Sequence, residues 1–132
     1  MLLDKTGVVS YIKGTVQTVQ IVNISKGIVI ASKAQIATSM GQRMKGLLGR
    51  KGLAPDEALV LKPCSSIHTF FMRFPIDVLF VDKNVQIVRL IQNMPPYRFS
   101  PFVWASYLAI ELPAGKISQT NTQIGDRIRI QS

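Results

Sequence analysis

The run "GTVQTVQIVNISKGIVIASKAQIA", residues 14–37, constrains the fold more than any other stretch of the chain. β-Branched residues dominate both arms, and Ser25-Lys26-Gly27 supplies a turn in which glycine can take positive φ. In the first arm Val16, Thr18, Gln20, Val22 and Ile24 share one face, while Gln17, Val19, Ile21 and Asn23 share the other. The expectation is a half-buried β-hairpin, and a ribbon with one apolar face needs further layers to cover it.

The rest of the chain provides those layers. "ALVLK" (58–62) is a short strand that stops at Pro63. "IHTFFMRF" (67–74) and "IDVLFVD" (76–82) are aromatic and β-branched runs flanking Pro75, and "VQIVRLIQ" (85–92) follows the turn "DKN" as a further strand. "SYLAIELPAG" (106–115) returns to strand, and "GDRIRIQS" (125–132) closes the chain with Arg and Ile alternating after a turn. "NMPPYRFSPFVW" (93–104) cannot lie inside a sheet, because its three prolines remove ladder donors. One helix is expected, at about 40–48: Ser39 and Gln42 form a capping box, Met40, Met44, Leu47 and Leu48 recur at helical spacing, and Gly49 closes the end.

The sum is a mainly β fold, a single-domain β-sandwich or partly closed barrel with an N-terminal hairpin and one short helix. A length of 132 residues suits one domain, residues 1–132, with 1–28 as an N-terminal extension and hairpin. An apolar fraction of 47 % against 17 % charged residues argues for a packed core and against disorder. The start of the chain lacks a basic region leading into a long apolar run, and no stretch reaches the length of a membrane span; a soluble, cytoplasmic protein is the expectation.

Charge is unevenly spread. The formal net charge is +9, and between Met1 and Lys51 eight basic residues face the single acid Asp4. Lys33, Arg43, Lys45, Arg50 and Lys51 are therefore candidates for binding nucleic acid or another polyanion. Cations at the C-terminal end of a helix also offset its macrodipole, which is the plainer account of the same residues.

The only cysteine and the only histidine, Cys64 and His68, stand four positions apart. Four residues of extended chain span about 13 Å, beyond the reach of a thiol–imidazole pair. Only a sharp bend at Ser65-Ser66 would join them, and Cys64 reads better as a small buried hydrophobe. No metal site or cofactor is expected: two Cys or His residues cannot furnish a zinc centre, and the acids are scattered.

Polar residues that interrupt core-type strands remain. His68, Arg73, Asp77 and Glu111 do so, and together with Arg43 they are the candidates for a cleft holding a small polar or anionic ligand. In "YLAIEL", Leu108, Ile110 and Leu112 take one face and Tyr107, Ala109 and Glu111 the other; that second face is either wet or lines such a cleft. An internal Arg–carboxylate pair without any ligand is the third reading. Tyr97, Phe99, Phe102 and Trp104, with Arg98 among them, either stack on sugar rings or bases or fold back as a plug.

Taken together, "RMKGLLGRKGL", "PCSSIHTFFMRFPIDVLFVD", "IELPAGKI" and the closing "GD" resemble the domain of unknown function 192 family of bacteria and archaea, over about Val29 to Ile130. The resemblance implies a small, mostly β domain with one short helix. It marks Arg43, Gly46, Leu47 and Arg50, then His68, Phe71, Met72, Pro75, Ile76 and Asp77, then Glu111, Gly115, Gly125 and Asp126. Many relatives read Trp-Met-Lys-Asn-Thr where this chain has Phe71-Met72-Arg73-Phe74-Pro75, and many carry an export signal. The family has no established reaction. The functional expectation is thus a non-enzymatic binder of a small polar or anionic molecule, ahead of polyanion binding and of a hydrolase using His68 with a carboxylate.

Overall fold

The structure, a computed structural model, describes residues 18–38 and 50–132. The hairpin forms where alternation placed it. Strand β1 (Thr18–Asn23) pairs antiparallel with β2 (Ile28–Ala37), and Gly27 takes φ 66° in the turn between them. Val19, Ile21 and Asn23 are buried while Thr18 is exposed, so the ribbon hides one side only. The remaining strands are β3 (Glu57–Leu61), β4 (Ile76–Val81), β5 (Ile87–Met94), β6 (Leu108–Pro113) and β7 (Ile128–Gln131).

All seven belong to one curled sheet in the order β5-β4-β6-β3-β2-β1-β7, antiparallel except for the pair β2·β3. Register shifts within β1·β2 and β4·β5 are the kind of irregularity that sharpens curl. The two outer strands approach each other at one end, where Gln86 and Arg127 form a bridge and the Ile128 N–H donates to the Val85 carbonyl. The mainly β, partly closed barrel expected from the strand pattern is what the chain forms.

At its centre, in β3, β4 and β6, the sheet is buried on both faces. Its concave side holds Val19, Ile21, Ile36, Val60, Leu79 and Ile110. Burying each such side chain contributes roughly 1.5–3 kcal/mol. A four-residue helix, α1 (Lys116–Gln119), adds Ile117 to this core. Periodicity cannot reveal so short a helix. The helix expected at 40–48 lies outside the described residues.

The convex face is covered by two segments that run antiparallel to each other, residues 62–75 and 95–107. Cys64, Ile67, Met72 and Val103 pack from this cover onto Leu59, Leu61, Val78, Phe80 and Ala109 of the sheet. Backbone bonds zip the two segments together: Thr69 N–H to Arg98 O, Tyr97 N–H to Thr69 O, Ser100 N–H to Ile67 O and Val103 N–H to Ser65 O, all 2.8–2.9 Å. "IHTFFMRF", expected as a strand, is therefore half of a cover. Only His68 pairs as in a sheet, with Phe99, and the chain turns at Phe70-Phe71, where Phe71 has φ 65°. Asn93 and Met94, expected outside the sheet, end β5; from Pro95 on, the prolines keep the chain out of the sheet and leave it free to match this segment.

Candidate functional site

Two acids expected at the site are buried on neighbouring strands and face opposite ways. Asp77 of β4 shares the concave side with Leu112, its partner on β6. Its Oδ1 accepts from the Asn93 N–H at 2.9 Å, and its Oδ2 accepts from the Gly115 and Ile117 N–H groups at 3.1 and 2.9 Å. Asn93 and Gly115 both have positive φ, 51° and 92°, so the carboxylate fastens an irregularity near the end of β5 and the turn before α1, which the backbone alone disfavours or leaves loose. A fully buried anion is tolerable only with such donors.

Glu111 of β6 points to the convex side, between Leu59 of β3 and Val78 of β4. It is 5 % exposed, and no hydrogen bond or ion pair with any described residue reaches its carboxyl. Burial pushes its pKa up to about 8, so it is predominantly a neutral carboxylic acid at pH 7. The face read as either wet or cleft-lining is thus dry. The row across the sheet runs Ile91, Val78, Glu111, Leu59, Gln35, and Gln35 is exposed, which places Glu111 two strands in from solvent on that side.

His68 and Arg73 lie on the outer side of the cover, both exposed. The Nδ1 of His68 accepts from the Phe70 N–H at 3.3 Å, and its ring lies 5.7 Å from Phe70 and 6.3 Å from Phe99. No hydrogen bond or ion pair joins any two of His68, Arg73, Asp77 and Glu111. Arg43 lies outside the described residues. Cys64 is buried, and its thiol donates to the Ser66 carbonyl at 3.1 Å. Among the described residues, no three His, Cys, Asp or Glu side chains gather as a metal set.

Of the basic candidates, Arg43 and Lys45 fall outside the described residues. Arg50 donates twice to the Glu57 carboxylate, at 2.8 and 3.0 Å, and Lys33 lies 3.6 Å from Asp56. The Ala54 N–H and Arg50 together hold the Glu57 carboxyl below its usual range. Lys51 is exposed. A second cluster, not anticipated, ties the first hairpin turn to residues 122–126: the Asn23 amide donates to Asp126 at 2.9 Å and to Thr122 at 3.2 Å, and Lys26 pairs with Asp126 at 3.1 Å. Burial pushes the Asp126 carboxyl up, but bonds from Asn23, the Gln123 N–H and Lys26 outweigh that and leave it below its usual range. Nothing local in the sequence links residues so far apart.

Thr69 also escaped notice. It is fully buried, its hydroxyl donates to the Pro95 carbonyl at 2.7 Å and accepts from the Arg98 N–H at 3.0 Å, and it locks the two halves of the cover. Five aromatic side chains of that cover, Phe71, Tyr97, Phe99, Phe102 and Trp104, are exposed, while Phe74 and Tyr107 pack against the core.

These features define a class: a curled β-sheet domain with a sealed concave core and, on its convex face, a lone buried carboxyl beneath an aromatic cover. The chain belongs to the DUF192 family, described as uncharacterized ACR, whose sequence model matches residues 5–130. A UPF0127 protein of Pyrococcus horikoshii is 35 % identical over 116 residues, covering 83 % of this chain and 96 % of that one. Another, from Thermococcus sibiricus, is 33 % identical over 112 residues, 82 % of this chain and 72 % of its own. The fold matches a crystal structure of a protein of unknown function from Novosphingobium aromaticivorans, with a TM-score of 0.73, 19 % identity and coverage of 86 % and 84 % of the two chains. It also matches a Sinorhizobium meliloti protein provisionally described as a transcription regulator, with a TM-score of 0.71, 25 % identity and coverage of 94 % and 98 %. No described helix is long and apolar enough to cross a membrane.

Proposed function

We propose that the chain is a non-enzymatic domain that binds a small polar or anionic molecule, with the Glu111 carboxyl as the anchoring group. The observation that carries this reading is a buried acid with no described partner. Leaving a buried polar group unmade costs about 1–3 kcal/mol, and folds rarely retain that cost where an apolar residue would serve. A neutral carboxyl offers one O–H donor and a carbonyl acceptor side by side. That pair complements a ligand carboxylate, amide, phosphate oxygen or hydroxyl, and the ligand would approach from the Gln35 side of the sheet. Exposed Arg73 adds positive charge outside the cover, which favours an anion's approach. The backbone donors that both Asp77 oxygens serve favour a scaffold role for it over ligand binding.

The sign of the pH dependence follows from protonation. Affinity for an anion or acceptor falls as pH rises through about 8, where Glu111 loses the proton it would donate. Thermal-shift screening against dicarboxylates, phosphates and sugars tests the reading: a hit should raise the midpoint of wild type, raise it less for Glu111→Gln, and leave Glu111→Met unmoved. A panel that stabilises none of the three, or stabilises Glu111→Met as much as wild type, contradicts it.

A second reading, polyanion binding through Lys33, Arg43, Lys45, Arg50 and Lys51, draws support from the provisional description of the Sinorhizobium meliloti relative. It predicts oligonucleotide binding that weakens steeply with salt.

A further inference from the structure

We infer that the outer side of the cover is a docking surface for an anionic lipid bilayer, a role separate from ligand binding at Glu111. Five aromatic residues stand on the cover's outer side: Trp104 is 90 % exposed, Phe99 75 %, Phe71 70 %, Phe102 59 % and Tyr97 53 %. The zipped backbone sets them along one ribbon, with Val103 bonded to Ser65 at one end, the His68·Phe99 bridge in the middle, and Tyr97 bonded to Thr69 beside Phe71 at the other. Large exposed apolar groups so grouped mark an interaction site.

Charge and ring geometry select the partner. Residues 62–75 and 95–107 contain no acid, and the exposed charges they carry are those of Arg73 and Arg98. Neither arginine pairs with a carboxylate among the described residues. The surface is therefore apolar with a cationic fringe, the combination that anionic headgroups over acyl chains complement. Sugar rings and unpaired bases are held on flat, accessible ring faces. Here Phe70 meets Phe99, Phe71 meets Tyr97 and Phe102 meets Trp104 at interplanar angles of 68°, 69° and 77°. Edge-on rings make a knobbed apolar surface instead of a stacking strip. Trp and Tyr side chains also favour the headgroup level of a bilayer.

Two of these rings are held against backbone preference. Phe71 has φ 65° and Tyr97 φ 61°, a region that costs an aromatic residue free energy. Thr69 fixes both segments so that the rings stay outward. Strain retained at an exposed apolar surface fits a site that gains elsewhere what it loses in folding.

Trp104 is the only tryptophan, so its emission reports directly on this surface. The 132-residue chain should co-sediment with phosphatidylcholine vesicles containing phosphatidylglycerol, with blue-shifted Trp104 emission and quenching by bromine-labelled acyl chains. Affinity should fall about fivefold for each of Arg73→Gln and Arg98→Gln. It should fall at least tenfold for the Phe102→Ser/Trp104→Ser pair, read by sedimentation; both sites are exposed, and unchanged circular dichroism verifies the fold. Absence of sedimentation, equal sedimentation of the double variant, or Trp104 emission that responds to single-stranded oligonucleotide and not to vesicles would overturn the inference. Ligand binding at Glu111 would survive any of these results.

Discussion

Asp77 and Glu111 are two buried acids on adjacent strands, and they differ in what surrounds the carboxyl. Asp77 looks into the concave core and meets three backbone N–H groups. Glu111 looks to the convex face and meets Leu59 and Val78. The same chemical group is a fastening in one place and an unmet demand in the other. A buried charge with its donors in place belongs to the scaffold, whereas a buried carboxyl kept neutral and unpartnered is a site where binding could recover free energy.

The largest effect should come from breaking the satisfied side. Asp77→Ala orphans the N–H groups of Asn93, Gly115 and Ile117 and should cost about 3–5 kcal/mol in urea unfolding. A loss below about 1 kcal/mol would mean that those donors find water, and Asp77 would not be a fastening. Removing the unsatisfied acid should act in the opposite direction. Glu111→Met keeps the approximate shape, discards the desolvated carboxyl and should stabilise the fold by about 1–3 kcal/mol at pH 7.

The same comparison has a pH signature. The pKa of Glu111 in the folded chain is about 8 against its usual 4.5, so the native state retains a proton that the unfolded state releases. Its favourable contribution is complete below about pH 4.5 and is lost as pH rises to about 8, with a slope of up to about 1.4 kcal/mol per pH unit and a plateau above. Glu111→Met should erase that slope. The lowered carboxyls of Glu57 and Asp126 act in the other sense: their contributions are lost as pH falls below the usual carboxylate range, so the two effects occupy different windows. The smallest effect belongs to the exposed Lys33–Asp56 pair, where Lys33→Ala should change stability by less than about 0.5 kcal/mol.

Much of the scaffold was legible because its signals are local. The alternation of residues 18–23 and the glycine at 27 announced the hairpin. The aromatic and β-branched run "IDVLFV", interrupted by Asp77 alone, pointed to a strand, and β4 is one. "IHTFFMRF" misled because strand-type composition also suits a cover packed on one side, and its turn at Phe70-Phe71 is imposed by pairing with residues some thirty positions away. Glu111 stood out as a polar residue in a strand, but its dryness depends on the two distant segments that seal the convex face. Asp77 stood out equally, and its donors 16 to 40 residues away left no trace in its own neighbourhood.

The chain contains only two glutamates, Glu57 and Glu111, so carboxyl-labelled glutamate gives a two-signal carbon NMR spectrum. Glu57, held by Arg50 and the Ala54 N–H, should titrate below 4.5 and serve as the internal reference. Glu111 should titrate near 8, and its signal should vanish in Glu111→Gln. Two midpoints both at or below the usual 4.5 would contradict the account, because Glu111 would then be an ordinary hydrated carboxylate with nothing to offer a ligand.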